Sequence, residues 1–237
     1  MGTGKEKTVN VTVYYPPVVS VVLVSGDNVT EGNPLQLECR TVSVPQNSTY
    51  SAWNRTIGGL PVPLVNNSPG KFLSISQVTF RDQGVYQCEA SNGFGDVQRG
   101  QLEVKVRARP QFFTQNNSQV ASIVENVKLM FKFVSYPSYK NLIWFKLING
   151  TPERLFTPDT IGSKYRRHVS TIKHEFAFDT SKVLLPGYVA ELEISNVNRH
   201  DFGLYTLKVE NEVGFSNFNI SLILKGEIKE KSFAMKH

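Results

Sequence analysis

The chain has 237 residues, 40% hydrophobic and 11% aromatic, which is room for two domains of about 100 residues, each burying its own core. Its formal charge of +6 comes from Lys and Arg spread along the chain; no nucleic-acid partner is implied, only a weak attraction to acidic surfaces or sulfated sugars. Residues 1–15 lack the apolar core of a signal peptide, and the longest apolar run, 18–24, is broken by Ser20 and too short to insert in a membrane.

Residues 7–15 read K-T-V-N-V-T-V-Y-Y, with Val9, Val11 and Val13 alternating with polar positions as in a half-buried strand. Pro16-Pro17 is expected to stop it, and 1–15 is expected to be a leader or the last strand of a preceding domain. From 16 to 108, short strand-like runs are cut by S-G-D-N at 25, G-N-P at 32, G-G at 58, N-N-S-P-G at 66 and N-G-F-G at 92. No stretch sustains a helical period, so the spacing predicts an all-β sandwich. Leu35, Leu37 and Cys39 alternate inward, Trp53 follows 14 positions after Cys39, and Tyr86 and Cys88 share one side of a later strand.

A second copy follows over 109–225. Asp82, Gly84, Tyr86, Cys88, Asn92 and Gly95 recur 119 positions later as Asp201, Gly203, Tyr205, Leu207, Asn211 and Gly214. Leu73, Ile75 and Val78 recur at the same offset as Leu192, Ile194 and Val197, so one domain occurs twice. Val127, Leu129, Phe131 and Phe133 align with the Leu35–Cys39 alternation, and Trp144 comes 11 positions after Phe133. The interval from Trp144 to Tyr205 is 28 residues longer than that from Trp53 to Tyr86, and the excess between 149 and 186 is expected to form extra edge strands. Residues 226–237 are polar and unpatterned, as in a frayed tail.

The set Cys39, Trp53, Asp82-x-Gly84-x-Tyr86-x-Cys88 resembles the immunoglobulin superfamily. The resemblance implies two tandem immunoglobulin-like β-sandwiches, the first short (C2 or I type) and the second longer (V or I type). It further implies a Cys39–Cys88 bridge between sheets, Trp53 packed on that bridge, and a tyrosine corner at Tyr86. The second copy departs at both cysteine positions, where Phe133 and Leu207 are expected to fill the space against Trp144 without a cross-link.

Eight asparagines head N-x-Ser/Thr sequons, Asn10, Asn28, Asn47, Asn54, Asn66, Asn116, Asn149 and Asn219, against about three by chance. Together with the cysteine pair they point to an extracellular glycoprotein. With no leader or anchor visible, the chain is expected to be part of a longer one.

Chemistry is scarce. His168, His174, His200 and His237 have no partners at metal-ligand spacing, and no nucleophile motif or phosphate loop is present, so neither catalysis nor a cofactor is expected. The basic stretch K-Y-R-R-H, with Lys164, Arg166 and Arg167, and nearby Lys173, has two readings: a glycosaminoglycan patch, or a solvated edge strand guarded by positive charge, which is preferred. Phe94 and Phe215 are placed at equivalent hairpin tips, with two readings: contact with a neighbouring domain or a partner, or, preferred, packing of Phe94 against the Phe112/Phe113 junction. The resemblance implies protein–protein recognition, homophilic or heterophilic, in a cell-adhesion ectodomain. Alternatives are a secreted immune-type protein, the ectodomain of a receptor kinase or phosphatase, and an intracellular muscle-type array.

Overall fold

A computed structural model describes residues 7–64, 69–156, 164–178 and 181–226, so Asn66 and the tail from 227 lie outside the described residues. The chain divides into two compact units, and along the chain the main change of unit falls between Lys105 and Val106.

In the first unit the alternating runs become β1 (Tyr15–Leu23), β2 (Leu35–Val44), β3 (Thr49–Tyr50), β4 (Asn54–Ile57), β5 (Leu60–Pro61), β6 (Phe72–Ile75), β7 (Gly84–Ser91) and β8 (Gln98–Val104). One sheet has the order β1-β2-β6; in the other, β3 and β4 both pair with β7, β5 extends β4, and β8 pairs with β7. Period-two alternation puts Leu35, Leu37 and Cys39 inside with Trp53, Tyr86 and Cys88, each at most 1% exposed. Cys39 and Cys88 form a disulfide, S–S 2.06 Å, across a sequence separation of 49. Closing a loop of that length stabilises the unit by about 4 kcal/mol on the chain-entropy account. The Trp53 Nε1 donates to the Gly70 carbonyl at 3.1 Å.

The start of this unit corrects the sequence reading. Among the described residues, 7–14 form no strand, and Val9, Val11 and Val13 are 70%, 79% and 69% exposed. Pro16 and Pro17 lie inside β1 instead of ending a strand. They fall at the register shift between Tyr15 and Val18, on an edge strand, where a missing N–H breaks no ladder.

The second unit holds β9 (Gln111–Phe112), β10 (Ser118–Ala121), β11 (Val127–Val134), β12 (Asn141–Ile148), β13 (Thr151–Arg154), β14 (Tyr165–Phe178), β15 (Ser181–Ile194), β16 (Gly203–Glu210) and β17 (Phe215–Leu224). Its sheets run β14-β15-β11-β9 and β10-β17-β16-β12-β13. The extra length goes mostly into the two 14-residue strands β14 and β15, with β13 as a short edge strand on β12.

Register corrects one more assignment. In the first unit Leu35 pairs with Ile75 and Leu37 with Leu73. In the second, Val127 pairs with Ile194 and Leu129 with Leu192, which puts Phe131, not Phe133, in the place of Cys39. The strand ends agree: Ser43 Oγ donates to the Pro45 carbonyl at 2.8 Å and Ser135 Oγ to that of Pro137 at 2.6 Å, again 92 positions apart. The Phe131 ring meets Trp144 edge-on at 5.1 Å, while Phe133 packs on Phe112, Tyr139 and Tyr188. Leu207 stands in Cys88's place, fully buried and opposite Trp144 in the β12–β16 register. Apolar contact thus fills the volume that sulfur fills in the first unit.

Candidate functional site

Each unit is closed by the same three-part lock before its most central strand. Thr79 and Asn198 cap short turns through reciprocal bonds with Asp82 and Asp201. The Tyr86 and Tyr205 hydroxyls donate back to the Asp82 and Asp201 carbonyls, both at 2.6 Å. Gly84 and Gly203 follow at φ 143° and 134°, a backbone region that L side chains avoid; at Gly84 a Cβ would also sit 2.7 Å from the Thr56 carbonyl oxygen.

A buried cation completes each lock two positions after the tryptophan. Arg55, 7% exposed, donates to the Arg81 and Pro63 carbonyls, lies 3.5 Å from Asp82 and sits over the Tyr86 ring at 6.0 Å. Lys146, 6% exposed, donates to the His200 carbonyl and sits over the Tyr205 ring at 5.6 Å. Burial pulls the Lys146 pKa down, against the pull of Asp201. The sequence reading missed both cations. Their offset of 91 differs from that of the repeated motif, and Arg against Lys does not register as identity.

Asp201 carries more than its counterpart. Lys164 Nζ lies 2.6 Å from its carboxylate, the Asn198 N–H donates at 2.7 Å and the Tyr165 hydroxyl at 3.2 Å. Burial alone would raise its pKa; the lysine and these donors outweigh it and hold the carboxyl below its ordinary 3.8. Burial pushes the Tyr165 phenol up to about 12 and the Tyr205 phenol up further. Lys164 is therefore paired with Asp201, with 34% of its side chain still exposed.

Asn92 and Asn211 act as clamps. Asn92 Nδ2 donates to the Tyr15 carbonyl at 2.8 Å, and Asn211 Nδ2 to the Ala108 carbonyl at 2.7 Å, tying each β7–β8 or β16–β17 turn to the start of its own unit. Phe94 sits in the first of these turns and stacks on Tyr14 at 4.8 Å. In the second unit, Phe112 packs on Phe133 and Phe218, and Phe113 on His174 and Phe176. Phe215 is not the counterpart of Phe94. It opens β17, 52% exposed, under the Lys208 ammonium at 4.2 Å.

The described sequon asparagines, Asn10, Asn28, Asn47, Asn54, Asn116, Asn149 and Asn219, are all exposed. Asn54 lies on β4 beside Gln87 of β7, and Asn219 on β17 beside Thr206 of β16, so each marks the outer face of the sheet holding its tyrosine. The outer face of β1-β2-β6 has a different character. There Val18 and Val42, a cross-strand pair, are 68% and 61% exposed, and Phe72 is 51% exposed.

The charge is uneven. Residues 1–105 hold eight Lys/Arg and eight Asp/Glu, and the rest hold eighteen and twelve, so the whole surplus of six belongs to the second part of the chain. Arg166, Arg167 and Lys173 are exposed on β14, which is an edge strand. Carboxylates interleave with them: Arg166, Arg167 and His168 share a shallow depression with Lys128, Glu191 and Glu193, and Glu175 pairs with Lys182 at 2.8 Å. The Arg167 guanidinium covers Phe156 at 5.0 Å. Among the described residues no group of His, Cys, Asp and Glu is arranged to hold a metal ion, and no helix is long and apolar enough to cross a membrane.

Comparison with known proteins matches residues 16–92 to the immunoglobulin domain family. Contactin rig-6 of Caenorhabditis elegans is 25% identical over 82% of this chain, and neural cell adhesion molecule L1 of Takifugu rubripes is 25% identical over 85%. The chain spans only 14% and 13% of those two proteins. Among solved structures, the complex of Dpr2 Ig1-Ig2 with DIP-Theta Ig1-Ig3 superimposes with a TM-score of 0.58 at 23% identity, over 89% of this chain and 65% of that one, a likeness of fold.

Proposed function

We propose that this chain, which belongs to the immunoglobulin superfamily, is a recognition and spacing segment of an extracellular cell-adhesion ectodomain and binds a protein partner without catalysis. The observation that carries this reading is similarity over more than four-fifths of the chain to proteins such as neural cell adhesion molecule L1. The surface chemistry supports it. Sequons at Asn54 and Asn219 would place bulky sugars on the outer faces of β4–β7 and β16–β17, whereas no residue of β1, β2 or β6 heads a sequon. On the outer face of β1-β2-β6, Val18, Val42 and Phe72 offer apolar area beside the charged Glu38, Arg40 and Lys71, a mixed surface suited to a protein.

The test is multivalent display. Beads coated with the chain should cluster with each other or bind a panel of cells, and Val18→Lys with Val42→Glu, an opposite-charge cross-strand pair, should abolish this with little change in the unfolding midpoint. Coated beads that neither cluster nor bind cells at high density would contradict the proposal. A sulfated glycosaminoglycan is the second reading, favoured by the charge surplus after residue 105. Retention on heparin near physiological salt, lost in Arg166→Ala with Arg167→Ala, would support it; elution well below that salt would count against it.

A further inference from the structure

The first edge of the second unit changes sheets. β9 pairs with β11, whereas β10 pairs in parallel with β17 of the opposite sheet. The crossing segment 113–117 bridges the open side of the sandwich and is tied down at both ends. The Phe113 N–H donates to the Lys132 carbonyl at 2.9 Å, and Thr114 Oγ1 accepts from the Lys132 N–H at 2.7 Å. At the far end the Asn117 carbonyl accepts from the Ser221 N–H at 2.8 Å. Asn116 sits between these anchors, exposed, and heads the sequon Asn116-Asn117-Ser118.

Beside it lies a cleft of about 200 Å³, with Asn116 among its lining residues. The Phe113 ring and the exposed Met130 side chain give it an apolar side, and Gln115, Gln119, Lys128 and Lys132 make much of the rest hydrogen-bonding. The Phe113 ring is held in place by its stack on His174 at 4.0 Å. One apolar side among converging polar groups suits an acetylated sugar, which has an apolar ring face and polar edges. The volume has room for one such ring.

We infer that Asn116 carries an N-linked glycan and that its first N-acetylglucosamine lodges in this cleft, so that the sugar covers the open side of the sandwich. The inference rests on the extracellular reading above. A covalently tethered sugar needs little intrinsic affinity, because the link itself holds it at an effective concentration in the millimolar range. The anchored crossing segment lowers the ordering cost further, since the attachment point is already held.

Two measurements test this. Glycopeptide mass spectrometry on the protein from its native source should find Asn116 occupied, with a glycan less trimmed than those at Asn54 and Asn149, because protein shields its core. In protein secreted from cultured animal cells, Asn116→Gln and Ser118→Ala should each lower the Tm of the second unit by about 4 °C. In unglycosylated bacterial protein the same changes should leave Tm in place, which separates the sugar from the asparagine amide. Glycans at other sequons with Asn116 bare, or Tm unchanged by either variant in the secreted protein, would overturn the inference and leave the extracellular reading standing. No glycan at any sequon of the native protein would overturn both.

Discussion

Tyr205 and Asp201 concentrate the polar energetics of the second unit. The Tyr205 hydroxyl is buried and satisfies the Asp201 carbonyl, so Tyr205→Phe should cost about 1–3 kcal/mol, because it leaves that acceptor dry and unpaired. Chemical denaturation should show the loss, and Tyr86→Phe should do the same in the first unit. Asp201 adds a pH dependence. Its folded pKa lies below the ordinary 3.8, so the carboxylate stabilises the fold above about pH 4, and that contribution is lost as pH falls through the folded value. The Tm of the native sequence should therefore drop between pH 5 and 2 more steeply than that of Asp201→Asn. The Asp, Gly and Tyr of this lock were legible in the sequence because they repeat at one fixed spacing. Arg55 and Lys146 were not, because they sit on a strand whose offset differs and because their likeness lies in position and charge. Phe131 was misread as Phe133, since a slip of two residues leaves alternation unchanged; only the pairing of β11 with β15 removes that ambiguity.

At the scale of elements, β14 and β15 distinguish the two sandwiches. Alternation predicted strand in this region but not one long hairpin, because period two says nothing about where a strand ends. Gly187 is the sensitive point on β15. A Cβ there would meet the Phe133 carbonyl oxygen at 3.1 Å, the Val134 side chain at 3.3 Å and the Phe113 ring at 3.4 Å. Gly187→Val should displace Phe113 from His174 and destabilise the second unit by about 1–3 kcal/mol. The His174 ring-proton shifts, read by NMR, should move toward solvent values; unchanged shifts would mean the ring stack tolerates the added bulk. The proline pair in β1 carries the complementary lesson. Prolines usually punctuate strands, and only the edge position and the bulge make these two compatible with pairing.

Over the whole molecule the two units answer the same packing demand with different chemistry. The first closes its core with a disulfide and the second with Phe131 and Leu207 against Trp144. Reduction should lower the unfolding midpoint of the first unit by more than about 15 °C and leave the second transition in place, as followed by calorimetry with and without reductant. The asymmetry extends to charge, with the first 105 residues neutral and the remainder carrying the whole surplus of +6. The reading of the molecule as an extracellular recognition segment is tested most directly by the covalent state of the protein from its native source. Mass spectrometry should find Cys39 bonded to Cys88 and N-linked sugar on its sequons. Free thiols on both cysteines together with bare asparagines throughout would contradict that account and point to an intracellular array.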